Sequence, residues 1–216
     1  MRQQFDQQLT ELKKELIVMG SLCESAIARS AKALLEGQRE LTKEVPALSE
    51  QIERKERGIE ELCLKLLLRQ HPVARDLRVI SSALKMVTDL ERIGHQSADI
   101  AEIVSVGAIP AEEDLSAVHA MANAAISMVR ESIDAFVRED AALARRVIAE
   151  DDTVDRCFER IKNSLIQRLA QGTTDGGAAL DLLMIVKYLE RIGDHAVNIA
   201  HWVVYSITGE LESEKV

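Results

Sequence analysis

The chain has 216 residues, of which 47 % are hydrophobic and only 3 % aromatic, and a formal net charge of −9. A core built mainly from Leu, Ile, Val and Ala favours helices over strands. The acidic balance excludes a nucleic-acid partner, whose phosphates demand Lys and Arg, and suits basic surfaces or cations.

From Asp6 to Leu35, apolar residues recur at three-and-four spacing through Leu9, Leu12, Leu16, Met19, Cys23 and Ile27. That period predicts a helix buried along one stripe, with Asp6 as its N-cap and Gly37 as its stop. A second helix is expected through Ile52, Ile59, Leu62 and Leu66, with Pro46 in its first turn or kinking its start. It ends before His71-Pro72, and a third runs from about Val73 to Val106. His71 reads as a turn residue. Gly107 to Asp114, with Pro110 and three acidic residues, is the clearest linker.

The pattern then repeats. Helices are expected over about 114–137, 141–169 and 178–207, with Asp140 restarting the chain and Gln171 to Gly177 as a flexible turn. Trp202 is expected to pack, or to anchor a dimer surface. No useful stretch alternates with period two. The predicted fold is all-α: two tandem, pseudo-symmetric, antiparallel three-helix bundles over 1–107 and 112–209. A single six-helix bundle is the alternative that periodicity leaves open.

Cys23, Cys63 and Cys157 are far apart and odd in number, which points to reduced thiols in a cytoplasmic protein. The polar opening Met1-Arg2-Gln3-Gln4 does not read as a signal peptide. No segment reaches the roughly 18 apolar residues of a membrane span.

Two copies of one polar phrase stand out. Leu90-Glu91-Arg92-Ile93-Gly94-His95-Gln96-Ser97-Ala98-Asp99-Ile100-Ala101 is followed, 99 residues later, by Leu189-Glu190-Arg191-Ile192-Gly193-Asp194-His195-Ala196-Val197-Asn198-Ile199-Ala200. On a helix, Glu190, Asp194, Asn198 and His201 fall within about 80° of one another. Asp151 and Asp155, followed by Glu159, make a matching stripe on the fifth helix. Asp155 and Asp194 lie 19 and 20 residues from a turn centred near Thr174, so the stripes should meet at equal height.

Converging carboxylates repel unless something positive intervenes. Lys187 and Arg191 could supply that charge, and so could a hard cation such as magnesium, manganese or ferric iron, or zinc. Asp151, Asp155, Glu190, Asp194 and Asn198 are therefore the candidate metal ligands of the second half. A solvated acidic face is the alternative. In the first half Ser49 stands for Asp151, His95 for Asp194, Gln96 for His195 and Asp99 for Asn198. Glu53, Glu91, His95 and Asp99 make a mixed candidate set there, and the first hairpin's loop is expected to be about three residues longer. No phosphate loop, nucleophile elbow or carboxylate pair in a cleft suggests an enzyme.

The phrases LERIGHQSADIAE and YLERIGDHAVNIA, the run RQHPVARDLR at 69–78 and the opening MRQQFDQQLTELKKELIVMG together resemble the PhoU family over essentially the whole chain. The resemblance implies tandem three-helix bundles, a homodimer and a cytoplasmic location. It implies an accessory of the phosphate-specific ABC transporter that dampens uptake. Through a sensor histidine kinase such a protein represses the phosphate-starvation response. The transporter's ATPase subunit and the phosphate-sensing kinase are thus the expected partners, with the membrane reached only through them.

Repeated (Asp/Glu)xxxAsp motifs hold iron or zinc clusters in some family members. Asp151, Asp155, Glu190, Asp194 and Asn198 match that pattern; Glu91 and Asp99 match in part, and Ser49 and His95 depart from it. A carboxylate-bridged di-iron oxidoreductase is the competing reading, but it needs Glu-x-x-His pairs, and Gly193 stands third after Glu190. A metal-free adaptor is the other.

Overall fold

The computed structural model describes residues 2–69, 72–107 and 115–211. His71 and linker residues 108–114 lie outside this set. Six helices account for nearly all of it: α1 Arg2–Leu35, α2 Val45–Arg69, α3 Ala74–Val106, α4 Ser116–Arg138, α5 Ala141–Ala170 and α6 Gly176–Thr208. Among the described residues there is no strand. The fold is two tandem three-helix bundles, as the repeated order of elements implies.

Local chemistry explains most of the boundaries. Pro46 sits in the first turn of α2, where its missing N–H costs nothing. Asp140 and Asp175 cap α5 and α6, accepting from the Leu143 and Ala178 N–H groups at 2.9 and 3.0 Å. Gly37 and Gly209 end α1 and α6 in the left-handed region, with φ of +66° and +82°.

Two expectations need correction, and one short element went unread. Asp6 does not cap α1, which starts earlier; it lies inside the helix, where its carbonyl accepts from the Thr10 hydroxyl. A short 3₁₀ turn over Arg39–Glu44, too brief to show a period, joins α1 to α2. The first hairpin's extra residues are not in its loop: α2 ends at Arg69 and α3 starts at Ala74, whereas α5 ends at Ala170 and α6 starts at Gly176. The helices absorb the difference.

Within each bundle all three helices touch one another, and the bundles meet along two seams, α3 on α6 and α1 on α4. Helices α2 and α5 lie outside, each contacting only its own half. Leu12, Leu16, Met19 and Ile27 of α1, Leu90 and Ile93 of α3, Met121 and Val129 of α4, and Ile192 and Ile199 of α6 belong to one continuous core. Gly20, the only glycine of α1, admits Ile133 of α4: a Cβ there would stand 3.1 Å from the Ile133 side chain.

Helix α3 runs antiparallel to α6. Arg78 lies against Gly209, Asp89 meets His195, Asp99 senses Arg191, and Gly107 lies against Asp181. This register puts Gly94 and Gly193 at the same height, at the centre of a pseudo-two-fold. Each glycine faces its own half, Gly94 toward Ile52 of α2 and Gly193 toward Val154 of α5. The repeated glycine is there so that two helices can approach closely.

Residues 73–78 act as a clamp. The Asp76 carboxylate accepts from the Val73 N–H at 3.4 Å and so closes the first turn of α3. Arg75 reaches Glu139 at 2.5 Å, and Lys13 of α1 reaches the same carboxylate at 3.0 Å. Glu139 ends α4 in the left-handed region, with φ +57°. Its two cations hold a turn that a non-glycine residue adopts at some cost.

Candidate functional site

In the second half the two acidic stripes meet along the outward α5–α6 groove. Gly193 lets α5 come so close that a Cβ in its place would lie 3.4 Å from Asp151 Oδ1 and 3.3 Å from Val154 Cγ1. Asp151 Oδ1 is buried with no hydrogen-bond donor. Burial, then the charges of Asp155, Asp194 and Glu190, push the Asp151 carboxyl up to about 6 from 3.8. Asp155 is raised by lost hydration and then by Glu190, and Asp194 for the same two reasons. Four of the five expected residues thus share one electrostatic neighbourhood. Asn198 lies half-buried farther along α6.

One lysine works against this repulsion. Lys187 pairs with Glu190, one turn away, and lowers both Asp155 and Asp194. Its ammonium also stands 5.3 Å from the centre of the Phe158 ring, which Lys162 approaches to 5.4 Å. Phe158 and Lys162, four residues apart on α5, went unread in the sequence, although their spacing and Lys187's place two residues before the repeated phrase were visible.

The first half solves the same problem internally. His95 Nε2 lies 3.1 Å from Glu53 Oε1, and its Nδ1 lies 3.2 Å from Glu91 Oε1. A protonated imidazole donates to both carboxylates. The Glu53 hydrogen bond leads the forces that raise the His95 pKa. Glu56, which sequence spacing did not single out, joins the group: burial and Glu91 raise its carboxyl. Asp99 is half-buried near His95 and within reach of Arg191 across the α3–α6 seam. Ser49, at the position of Asp151, is buried.

His195 does not join the acidic group as a ligand. It turns across the seam, its Nδ1 2.8 Å from Asp89 Oδ1. Trp202 packs against the core and meets Tyr205 edge to face at 5.8 Å.

As to an ion, the oxygen donors of Asp151, Asp155, Glu190 and Asp194 suit a hard cation, and the orphaned Asp151 Oδ1 is an open acceptor. Among the described residues, no three His, Cys, Asp or Glu side chains already converge as ligands. Donor chemistry fits; preformed geometry is lacking, with Glu190 held by Lys187.

The cluster makes the fold sensitive to pH. Asp151 binds its proton more tightly folded than unfolded, so its penalty is absent below about pH 4, grows between 3.8 and about 6, and is complete above. Asp151→Asn should therefore stabilise the metal-free protein at pH 8 and leave it unchanged at pH 4. Solvent screening of this partly exposed group limits the gain to about 1 kcal/mol, or about 2–4 °C in Tm. Thermal melts at the two pH values test this; an equal shift at both would refute the cause given.

The PhoU domain model matches residues 16–104 and again 118–203, one copy per bundle. The chain belongs to the PhoU family. A Pseudomonas putida relative described as a phosphate-specific transport system accessory protein PhoU homolog is 36 % identical over 96 % of this chain and 82 % of its own. A Synechocystis relative of the same description is 34 % identical over 98 % of this chain and 94 % of its own.

The crystal structure of PhoU from Pseudomonas aeruginosa superposes with a TM-score of 0.89 at 34 % identity, covering 95 % of this chain and all of the other, 100 %. That of the phosphate transport system regulatory protein PhoU from Streptococcus pneumoniae gives 0.90 at 26 % identity, covering 97 % and 100 %. Both copies of the polar phrase fall within the PhoU matches.

Proposed function

We propose that the protein is an accessory and negative regulator of phosphate uptake. In this reading it restrains a phosphate-specific ABC transporter through the transporter's ATPase subunit. It represses the starvation response through a phosphate-sensing histidine kinase. It works as a cytoplasmic adaptor whose acidic grooves are docking surfaces. No helix among the described residues is long and apolar enough to cross a membrane, which agrees with membrane contact made through partners.

The observation that carries this reading is the PhoU match over both bundles, each with its polar phrase on an outward groove. The cluster at Asp151, Asp155, Glu190 and Asp194 keeps its carboxylates close together with one lysine among them. Such a surface gains most from a partner that brings positive charge.

Asp151, Asp155, Glu190 and Asp194, with Asn198 beside them, would hold iron or zinc, with manganese and magnesium as further candidates. A bound cation supplies the charge that offsets their repulsion. In the first half His95 already spans Glu53 and Glu91, so an ion there would compete with it and with Asp99. The prediction for metal is unequal occupancy: purified, untagged protein should carry ions that Asp155→Ala/Asp194→Ala removes and His95→Ala does not. Elemental analysis decides, and equal loss in both variants would reject the assignment.

The regulatory reading is tested by charge reversal. Asp155→Lys/Glu190→Lys should stay folded, bind the transporter ATPase and the kinase about tenfold more weakly or worse, and release phosphate repression. Unchanged partner binding and repression would end it.

A further inference from the structure

The α5–α6 groove changes character along its length. From the acidic cluster, the outward face passes Phe158 with Lys162 and Lys187 and then becomes apolar. Ile166, one turn beyond Lys162, is 56 % exposed, and Leu169 is 42 % exposed. Across the groove Met184, three residues before Lys187, is 44 % exposed, and Leu180, a turn further, is 61 % exposed. Four large apolar side chains thus lie open at the hairpin tip, on the face that carries the carboxylates. Lone exposed apolar residues need no explanation, whereas a contiguous group does.

We propose that this face receives a basic amphipathic helix of a partner protein, its apolar residues on the hairpin tip and its Lys or Arg residues on the acidic cluster. The inference rests on the docking role proposed above and adds the chemistry of what docks. Charge complementarity chooses the occupant. An anionic lipid surface would be repelled by Asp155, Glu190 and Asp194. A second copy of this chain, net charge −9, would bring the wrong sign. Length agrees too: 11 residues of α5 separate Asp155 from Ile166, about 16 Å along the axis, or three turns of a bound helix. Apolar anchors in a groove with charges beyond them is an established way for proteins to take helices.

The test uses the full chain and a synthetic helical peptide with leucines on one face and lysines on the other, followed by fluorescence anisotropy. Ile166→Ser/Leu180→Ser and Asp155→Asn/Glu190→Gln should each weaken binding about tenfold or more. Leu64→Ser/Leu68→Ser, on the exposed end of α2, should leave it unchanged. A peptide with glutamate in place of lysine should not bind.

The proposal is overturned if the Ile166/Leu180 variant binds the peptide like the parent, or if the glutamate peptide binds equally well. It is also overturned if that variant instead abolishes self-association or binding to phosphatidylcholine–phosphatidylglycerol vesicles. Circular dichroism melts confirm that each variant is folded. The two readings fail separately. Loss of phosphate repression in the acidic variant with full repression in the Ile166/Leu180 variant leaves docking intact and removes the helix. Peptide binding that follows both variants, with repression unchanged in either, does the reverse.

Discussion

Gly94→Val is expected to destabilise the protein by about 1–3 kcal/mol, a cost typical of overpacking a filled core. A Cβ at position 94 would come within 2.8 Å of Ile52 Cδ1 and 3.2 Å of its Cγ2. Ile52 is fully buried and has little room to move aside. Ile52→Ala alone should cost about 2–5 kcal/mol by opening a cavity. Combined, the two should cost less than their sum by about 0.5–3 kcal/mol, because valine fills the space that isoleucine leaves.

Position 193 offers the control. There a Cβ meets Val154 Cγ1 at 3.3 Å and Asp151 Oδ1 at 3.4 Å. That crowding is milder, and Gly193→Ala recovers about 1 kcal/mol of helix propensity, so its net effect should be near zero. Urea denaturation of the four variants decides. If Gly94→Val is tolerated as well as Gly193→Ala, the account of the repeated glycine is wrong.

Asp89→Ala is the second variant expected to matter, at a cost of about 1–3 kcal/mol. Asp89 and His195 are only 15 % and 14 % exposed, so removing either strands the other in a poorly hydrated seam. Asp89→Ala, His195→Ala and the double variant form a cycle, and their coupling should exceed about 0.5 kcal/mol. Strict additivity would mean that the contact carries no energy. The pair has no twin: the pseudo-two-fold puts Tyr188 where Asp89 would be and Gln96 where His195 would be. The two halves are therefore tied off-centre.

Much of the fold was legible because helices write their period into the chain. The six helices, the Asp140 and Gly37 boundaries and the repeat all follow from spacing and end chemistry. The meeting of Asp151 and Asp155 with Glu190 and Asp194 followed from equal distances to one turn. What escaped depends on contacts that no local pattern encodes. The run at 69–78 gave a resemblance but not its task, because Arg75 reaches Glu139 and Arg78 reaches Gly209 across the fold. His195 had no assigned partner in the sequence, and only the α3–α6 seam brings it to Asp89. His95 read as a candidate ligand, and that it reaches Glu53 and Glu91 with its two ring nitrogens was not legible from spacing.

The shared core has a consequence for how the molecule comes apart. The sequence is a tandem duplication, yet α3 on α6 and α1 on α4 bury apolar residues of both copies in one continuous core. Separating the halves would strip both seams at once, so neither can melt while the other persists. Heat or denaturant should find one cooperative transition where the repeat suggests two. Duplication has produced a single thermodynamic unit, and a perturbation in one groove is felt in the free energy of the other.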